Sequence, residues 1–129
     1  MRKSIHLEYL KKGDLVAIVS IAKYITKKDC QLAVKYIKRE GLDIVNLNKT
    51  ILNRRGMFSG SNEERIEMLQ AILDSPKVKA IFFARGGYGS IRILDKLNFN
   101  LFMENPKWLI GFSDITVFLS HMSKMYNLP

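Results

Sequence analysis

The chain has 129 residues, enough for one domain of the usual ~100 to 200 residues, and its 47% apolar and 26% charged composition supports a buried core and excludes a disordered chain. Lys and Arg total 21 against 12 Asp and Glu, a net charge of +9 that favours anionic partners without choosing among nucleic acid, acidic lipid and carboxylate-rich substrates. A single cysteine, Cys30, excludes an internal disulfide and a cysteine-built zinc site, while apolar runs well short of the ~20 residues that span a bilayer exclude a membrane-crossing helix.

Near the N-terminus, Glu8, Lys11, Lys12 and Asp14 interrupt what a signal peptide would need as an apolar stretch, so a soluble, cytoplasmic protein is expected. The aliphatic run Leu15-Val-Ala-Ile-Val19 reads as a strand buried on both faces. Residues 29–40 carry Cys30, Ala33, Val34 and Ile37 at helical spacing, and Gly41 marks the end of that helix. Lys28, Lys35 and Arg39 share another face of it, which reads as its solvated side. Residues 42–47 form a second strand. After a basic loop containing Arg54 and Arg55, Ser61-Asn-Glu-Glu64 has the spacing of a capping box.

The helix that follows runs to about Asp74 with a stripe at Ile66, Leu69, Ile72 and Leu73, and Ser75-Pro76 stops it. Residues 78–84 are a third strand, followed by Arg85-Gly-Gly-Tyr-Gly89 and a short helix through Ile91, Leu94 and Leu97. Residues 98–106 carry no clear pattern. Residues 108–112 form a fourth strand, and Ser113-Asp114 heads a last helix with Ile115, Phe118, Leu119, Met122, Met125 and Tyr126 on its apolar stripe. Strand and helix alternate four times, the pattern of an α/β fold with an open, mostly parallel sheet and helices on both faces.

Ligands bind such sheets beyond the carboxyl ends of the strands, where two loops stand out: Arg85-Gly-Gly-Tyr-Gly89 and Gly111-Phe-Ser-Asp114. In the first, the amides of Gly86 and Gly87 could face an anion or an oxyanion, although a turn made only for close packing has the same composition. It lacks the Lys-Ser/Thr of a phosphate-binding loop and the spacing of a dinucleotide loop, and no cofactor or metal site is expected. In the second, Ser113 occupies a strand-to-helix turn that suits either an exposed nucleophile or a helix cap, with the Asp114 amide placed to donate to an oxyanion.

The motifs Lys12-Gly-Asp14, Phe58-Ser-Gly60, Asn62-Glu-Glu-Arg65, Val78-Lys-Ala-Ile81, Arg85-Gly-Gly-Tyr-Gly89, Pro106-Lys107 and Ile110-Gly-Phe-Ser-Asp-Ile-Thr116, in this order, resemble the LD-carboxypeptidases, a serine peptidase family that includes the microcin-immunity peptidases. The resemblance extends over nearly the whole chain. It implies that Ser113 is the nucleophile, that amides at Gly86, Gly87 and Asp114 form the oxyanion hole, and that Arg85 and Tyr88 line the substrate cleft. Where the family has a Pro-Ser pair after the first strand, this chain reads Val19-Ser-Ile-Ala22.

The implied reaction is cleavage of the L,D-peptide bond of cytoplasmic murein peptides, releasing D-alanine. The resemblance also implies that residues 1–129 are an N-terminal domain whose catalytic His and Glu lie on a C-terminal domain outside this sequence. Of the two histidines present, His121 lies eight residues beyond Ser113 on the same helix, about 12 Å along its axis at ~1.5 Å per residue. His6 precedes the first strand, at the far end of the sheet. The chain alone is therefore expected to be inactive on murein tetrapeptide. The other readings are a non-catalytic binding domain for acidic peptides or other anions, and a microcin-immunity-like peptidase. Self-association through uncovered apolar surface is expected; nucleic acid is not an expected partner, since no recognised module accompanies the charge.

Overall fold

The computed structural model describes residues 5–45 and 49–128. Its centre is a four-stranded sheet of β1 (Leu15–Val19), β2 (Asp43–Ile44), β3 (Val78–Phe83) and β4 (Trp108–Ile110), in the order β2-β1-β3-β4 with every pair parallel. The helices are α1 (Lys27–Arg39), α2 (Asn62–Asp74), α3 (Ile91–Leu94), α4 (Asn100–Glu104) and α5 (Ile115–Tyr126), with a 3-10 turn at Lys49–Leu52.

β1 is aliphatic throughout, and β3 is apolar apart from the exposed Lys79, because both faces of these central strands are covered. Ala17, Val19, Ile81 and Phe83 pack with Leu69 and Leu73 of α2, Phe102 of α4, and Phe118 and Met122 of α5. On the other face Ile18 packs with Cys30 of α1 and Ile51, against half-buried Ala33, Val34, Ile37 and Phe82. Helices thus lie on both faces, as the alternation of patterns requires. Lys28, Lys35 and Arg39 are exposed on α1.

Local signals set the element boundaries. Thr26 caps α1 by accepting from the Asp29 amide at 3.2 Å, so the helix starts two residues before the expected position. The Ser61 and Glu64 capping box forms as its spacing predicts, with bonds of 3.1 and 3.3 Å. Two expectations need correction. The second strand keeps only Asp43 and Ile44 in ladder register, because β2 is an outer strand with one neighbour; Asn46 and Leu47 lie outside the described residues. Met125 is 46% exposed although it shares the face of Phe118 and Met122, since it sits in the last turn of α5, which ends at Tyr126. The unassigned segment 98–106 contains α4, which places Phe102 in the core.

Candidate functional site

The loops that follow β3 and β4 leave the carboxyl ends of two adjacent parallel strands, so topology alone puts them on one rim. Ser113 there has φ of 57°, a left-handed conformation that costs an L-residue with a side chain roughly 1 to 2 kcal/mol. The turn between β4 and α5 is therefore sharp. It leaves Ser113 exposed, and no hydrogen bond from its side chain caps α5. Asp114 precedes the helix in αR conformation, also without a side-chain cap. Of the two roles open to Ser113, the cap is not the one adopted.

The glycine turn faces this serine. A Cβ added at Gly86 would lie 2.8 Å from Ser113 Cβ and 3.2 Å from its Oγ, a space only glycine leaves open. Gly87 takes φ of 111°, and a Cβ there would meet the stem of Lys23 at 2.5 Å. Gly86 is buried, while Arg85, Gly87 and Tyr88 are exposed.

The structure thus gathers Arg85, Gly86, Gly87, Tyr88, Ser113 and Asp114 at one sheet edge. Both histidines stay away from it. His121 is held in an aromatic cluster with Phe99 and Tyr126, at ring separations of 6.0 and 6.1 Å. His6 belongs to the segment whose Ile5 amide bonds Asn127 O at 3.3 Å and whose Glu8 carbonyl accepts from Trp108 Nε1 at 2.8 Å, at the amino end of β4.

Three arrangements that sequence reasoning missed hold the rim in place. The Asp114 carboxylate accepts from the Ser90 amide, and Ser90 Oγ donates back to the Asp114 carbonyl, both at 3.0 Å. This pair ties the end of the glycine turn to the start of α5. Arg65, 1% exposed, donates from Nη1 to the carbonyls of Ile21 at 2.7 Å and Gly89 at 2.9 Å, and from Nη2 to Asn62. Its guanidinium also lies 4.9 Å from the Phe58 ring. Burial, and then the Arg92 charge, pull its pKa below the usual arginine value, opposed by the Asp114 carboxylate.

A signal for Arg65 existed, since it precedes Leu69 and Leu73 by one and two steps of four along the buried side of α2. The third arrangement follows β1. Ser59 Oγ donates to Ser20 O at 2.7 Å and Ser20 Oγ to Lys23 O at 3.0 Å, so the segment that replaces the family's Pro-Ser pair is fixed by hydrogen bonds. Among the described residues, no group of three His, Cys, Asp or Glu converges on a common point, and no helix is long and apolar enough to cross a membrane.

Similarity to known proteins follows the same frame. The chain is 35% identical over 107 residues to the "Probable murein peptide carboxypeptidase" of Bacillus subtilis (strain 168), an alignment covering 83% of this chain and 33% of that protein. The solved muramoyltetrapeptide carboxypeptidase from Oxalobacter formigenes is 30% identical with a TM-score of 0.70, covering 81% of this chain and 34% of its own. Microcin C7 self immunity protein MccF, solved in complex with aspartyl sulfamoyl adenosine, shares the fold at 24% identity with a TM-score of 0.87, over 96% of this chain and 38% of its own. The chain spans about a third of the length of the curated relatives it matches. With residues 16–129 matching the LD-carboxypeptidase N-terminal domain, the chain belongs to the LD-carboxypeptidase family.

Proposed function

We propose that this chain is the nucleophile-bearing domain of a cytoplasmic serine carboxypeptidase that cleaves the L,D-peptide bond of murein peptides and releases D-alanine. Ser113 Oγ attacks the scissile carbonyl carbon and gives its proton to a base. The amides of Gly86, Gly87 and Asp114 take the resulting oxyanion, and Arg85 and Tyr88 line the cleft. Collapse of the tetrahedral species expels the protonated amine of D-alanine, and water then releases the acyl group from Ser113. The observation that carries this reading is the left-handed backbone of Ser113, which leaves this exposed serine against Gly86 of the glycine turn.

A serine hydroxyl needs a base about 2.6 to 3.2 Å away, and neither histidine of the chain approaches Ser113. The base belongs to a partner domain, and the chain alone releases no D-alanine. That separation of parts also favours the second reading, a peptide-binding domain without catalysis.

A peptidyl boronic acid ending in boron at the scissile position, added to the chain together with the base-bearing partner domain, tests the nucleophile without requiring turnover. The expected result is a tetrahedral boron signal in 11B NMR that vanishes in Ser113→Ala. Equal signals in the two proteins, or none in either, would remove Ser113 from the role. Binding of tetrapeptide without adduct formation would establish the second reading instead.

A further inference from the structure

We infer that the outward face of α1 docks on an anionic lipid bilayer, with the helix lying flat among the headgroups; the inference stands apart from the reading of Ser113. Cys30, Ala33, Val34 and Ile37 turn the other side of α1 toward the sheet, where they pack with Ile18. Steps of three and four residues along the outward side give the row Lys28, Leu32, Lys35 and Arg39, with Tyr36 one turn beyond Leu32. All five are exposed, Leu32 at 50% and Tyr36 at 58%. The row is about 16 Å long at ~1.5 Å per residue.

Cations dominate this face. The one ion pair among the described residues joins Lys11 to Asp14, so no carboxylate pairs with Lys28, Lys35 or Arg39 there. Asp29 and Glu40 stand at the two ends of the helix, on the row of Tyr36 rather than that of the cations. Beyond Arg39 the basic surface continues. The turn holding Lys11 and Lys12 abuts the end of α1, with the Gly13 amide donating to Gly41 O at 2.9 Å and the Lys12 stem lying over Gly41. Tyr9, just before that turn, is 91% exposed.

Charge alone suits any polyanion, and Leu32 and Tyr36 narrow the choice. The phosphate backbone of a nucleic acid pairs with the cations but gives an exposed leucine nothing to bury against. A bilayer surface takes both kinds of side chain. Its headgroup phosphates neutralise Lys28, Lys35 and Arg39, while the boundary with the acyl chains receives Leu32 and the Tyr36 ring with its hydroxyl still in water. The apolar side of α1 is already packed on the sheet, so docking needs no local unfolding. Ser113 and the glycine turn sit at the carboxyl ends of the strands rather than on the outer side of α1, so a docked chain keeps that rim clear.

Co-sedimentation of the chain with lipid vesicles tests this. Vesicles of equal parts phosphatidylglycerol and phosphatidylcholine are expected to bind it and pure phosphatidylcholine vesicles not, with binding weakened as salt is raised. This comparison needs no variant. The Lys28→Gln, Lys35→Gln, Arg39→Gln triple variant is expected to lose about a hundredfold in affinity and the Leu32→Gln, Tyr36→Gln double variant about tenfold. Lys77, Lys96 and Lys124 are exposed beside α2 and α3 and on α5, the elements of the opposite sheet face, so their triple change to Gln removes the same charge and keeps the affinity within about twofold. Equal binding to the two kinds of vesicle, or equal losses in the two triple variants, overturns the docking face. Duplex DNA that binds as tightly as the anionic vesicles and is indifferent to the double variant would overturn it in favour of nucleic acid.

Discussion

At position 113 the chain holds a serine in a conformation that suits glycine. Removing the side chain relieves the backbone while deleting the hydroxyl, so Ser113→Gly is expected to unfold at a higher temperature than the parent, by about 3 to 6 °C for ~1 kcal/mol, whereas Ser113→Ala gains nothing. Thermal melts of the three proteins check this, and a Ser113→Gly protein that melts lower would show that the turn carries no strain. The sequence left two roles open for Ser113 because Ser-Asp before a helix suits a cap and an exposed nucleophile alike. What keeps the Ser113 side chain from capping α5 is a dihedral angle, which depends on how sharply α5 must turn to pack Ile115 and Phe118 on the sheet. Composition cannot carry that. The permissive role of Gly86, in contrast, was legible, since a run of glycines at a strand end signals close approach.

Buried cations join elements together. Lys107, 1% exposed, donates from Nζ to the carbonyls of Leu73 and Ser75 at 3.0 Å and of Asn105 at 3.2 Å, closing the end of α2 against the segment that enters β4. Burial pushes its pKa down to about 8, with the Asp74 carboxylate pulling it up. The folded chain thus loses this proton near pH 8, while the unfolded chain keeps it to about 10.5. Between those values the unfolded state binds the extra proton, so native stability rises with pH and the gain disappears as pH falls through 8. Melting temperature measured from pH 7 to 10 is expected to rise relative to a Lys107→Met variant; a constant difference would mean that the lysine titrates alike in both states. Helix periodicity exposed the apolar stripes and the capping box and put Arg65 on the buried side of α2, yet no such spacing marks Lys107 as buried. A cation enters a core only where carbonyls from distant loops turn toward it, and that is settled by tertiary packing.

Across the whole molecule, the four alternations of strand and helix were enough to fix the layers, because aliphatic runs and amphipathic stripes are local signals. The edges were harder to read. β2 and β4 have one neighbour each, and at the end of β4 Ile110 is 40% and Phe112 66% exposed beside the candidate site. Apolar side chains grouped on an open edge favour association, so sedimentation is expected to show reversible self-association at high concentration, weakened in a Phe112→Ser variant. A strict monomer at every concentration would refute it. The order β2-β1-β3-β4 also bears on how the molecule forms. Pairing β1 with β3 brings together segments separated by two helical crossovers, a slow search over long sequence distances, and β4 has no ladder to join until β3 is in place. The bend at 113 is therefore expected to tighten after the rate-limiting barrier, so Ser113→Gly should slow unfolding in stopped-flow measurements and leave the refolding rate unchanged; faster refolding would place the bend before the barrier.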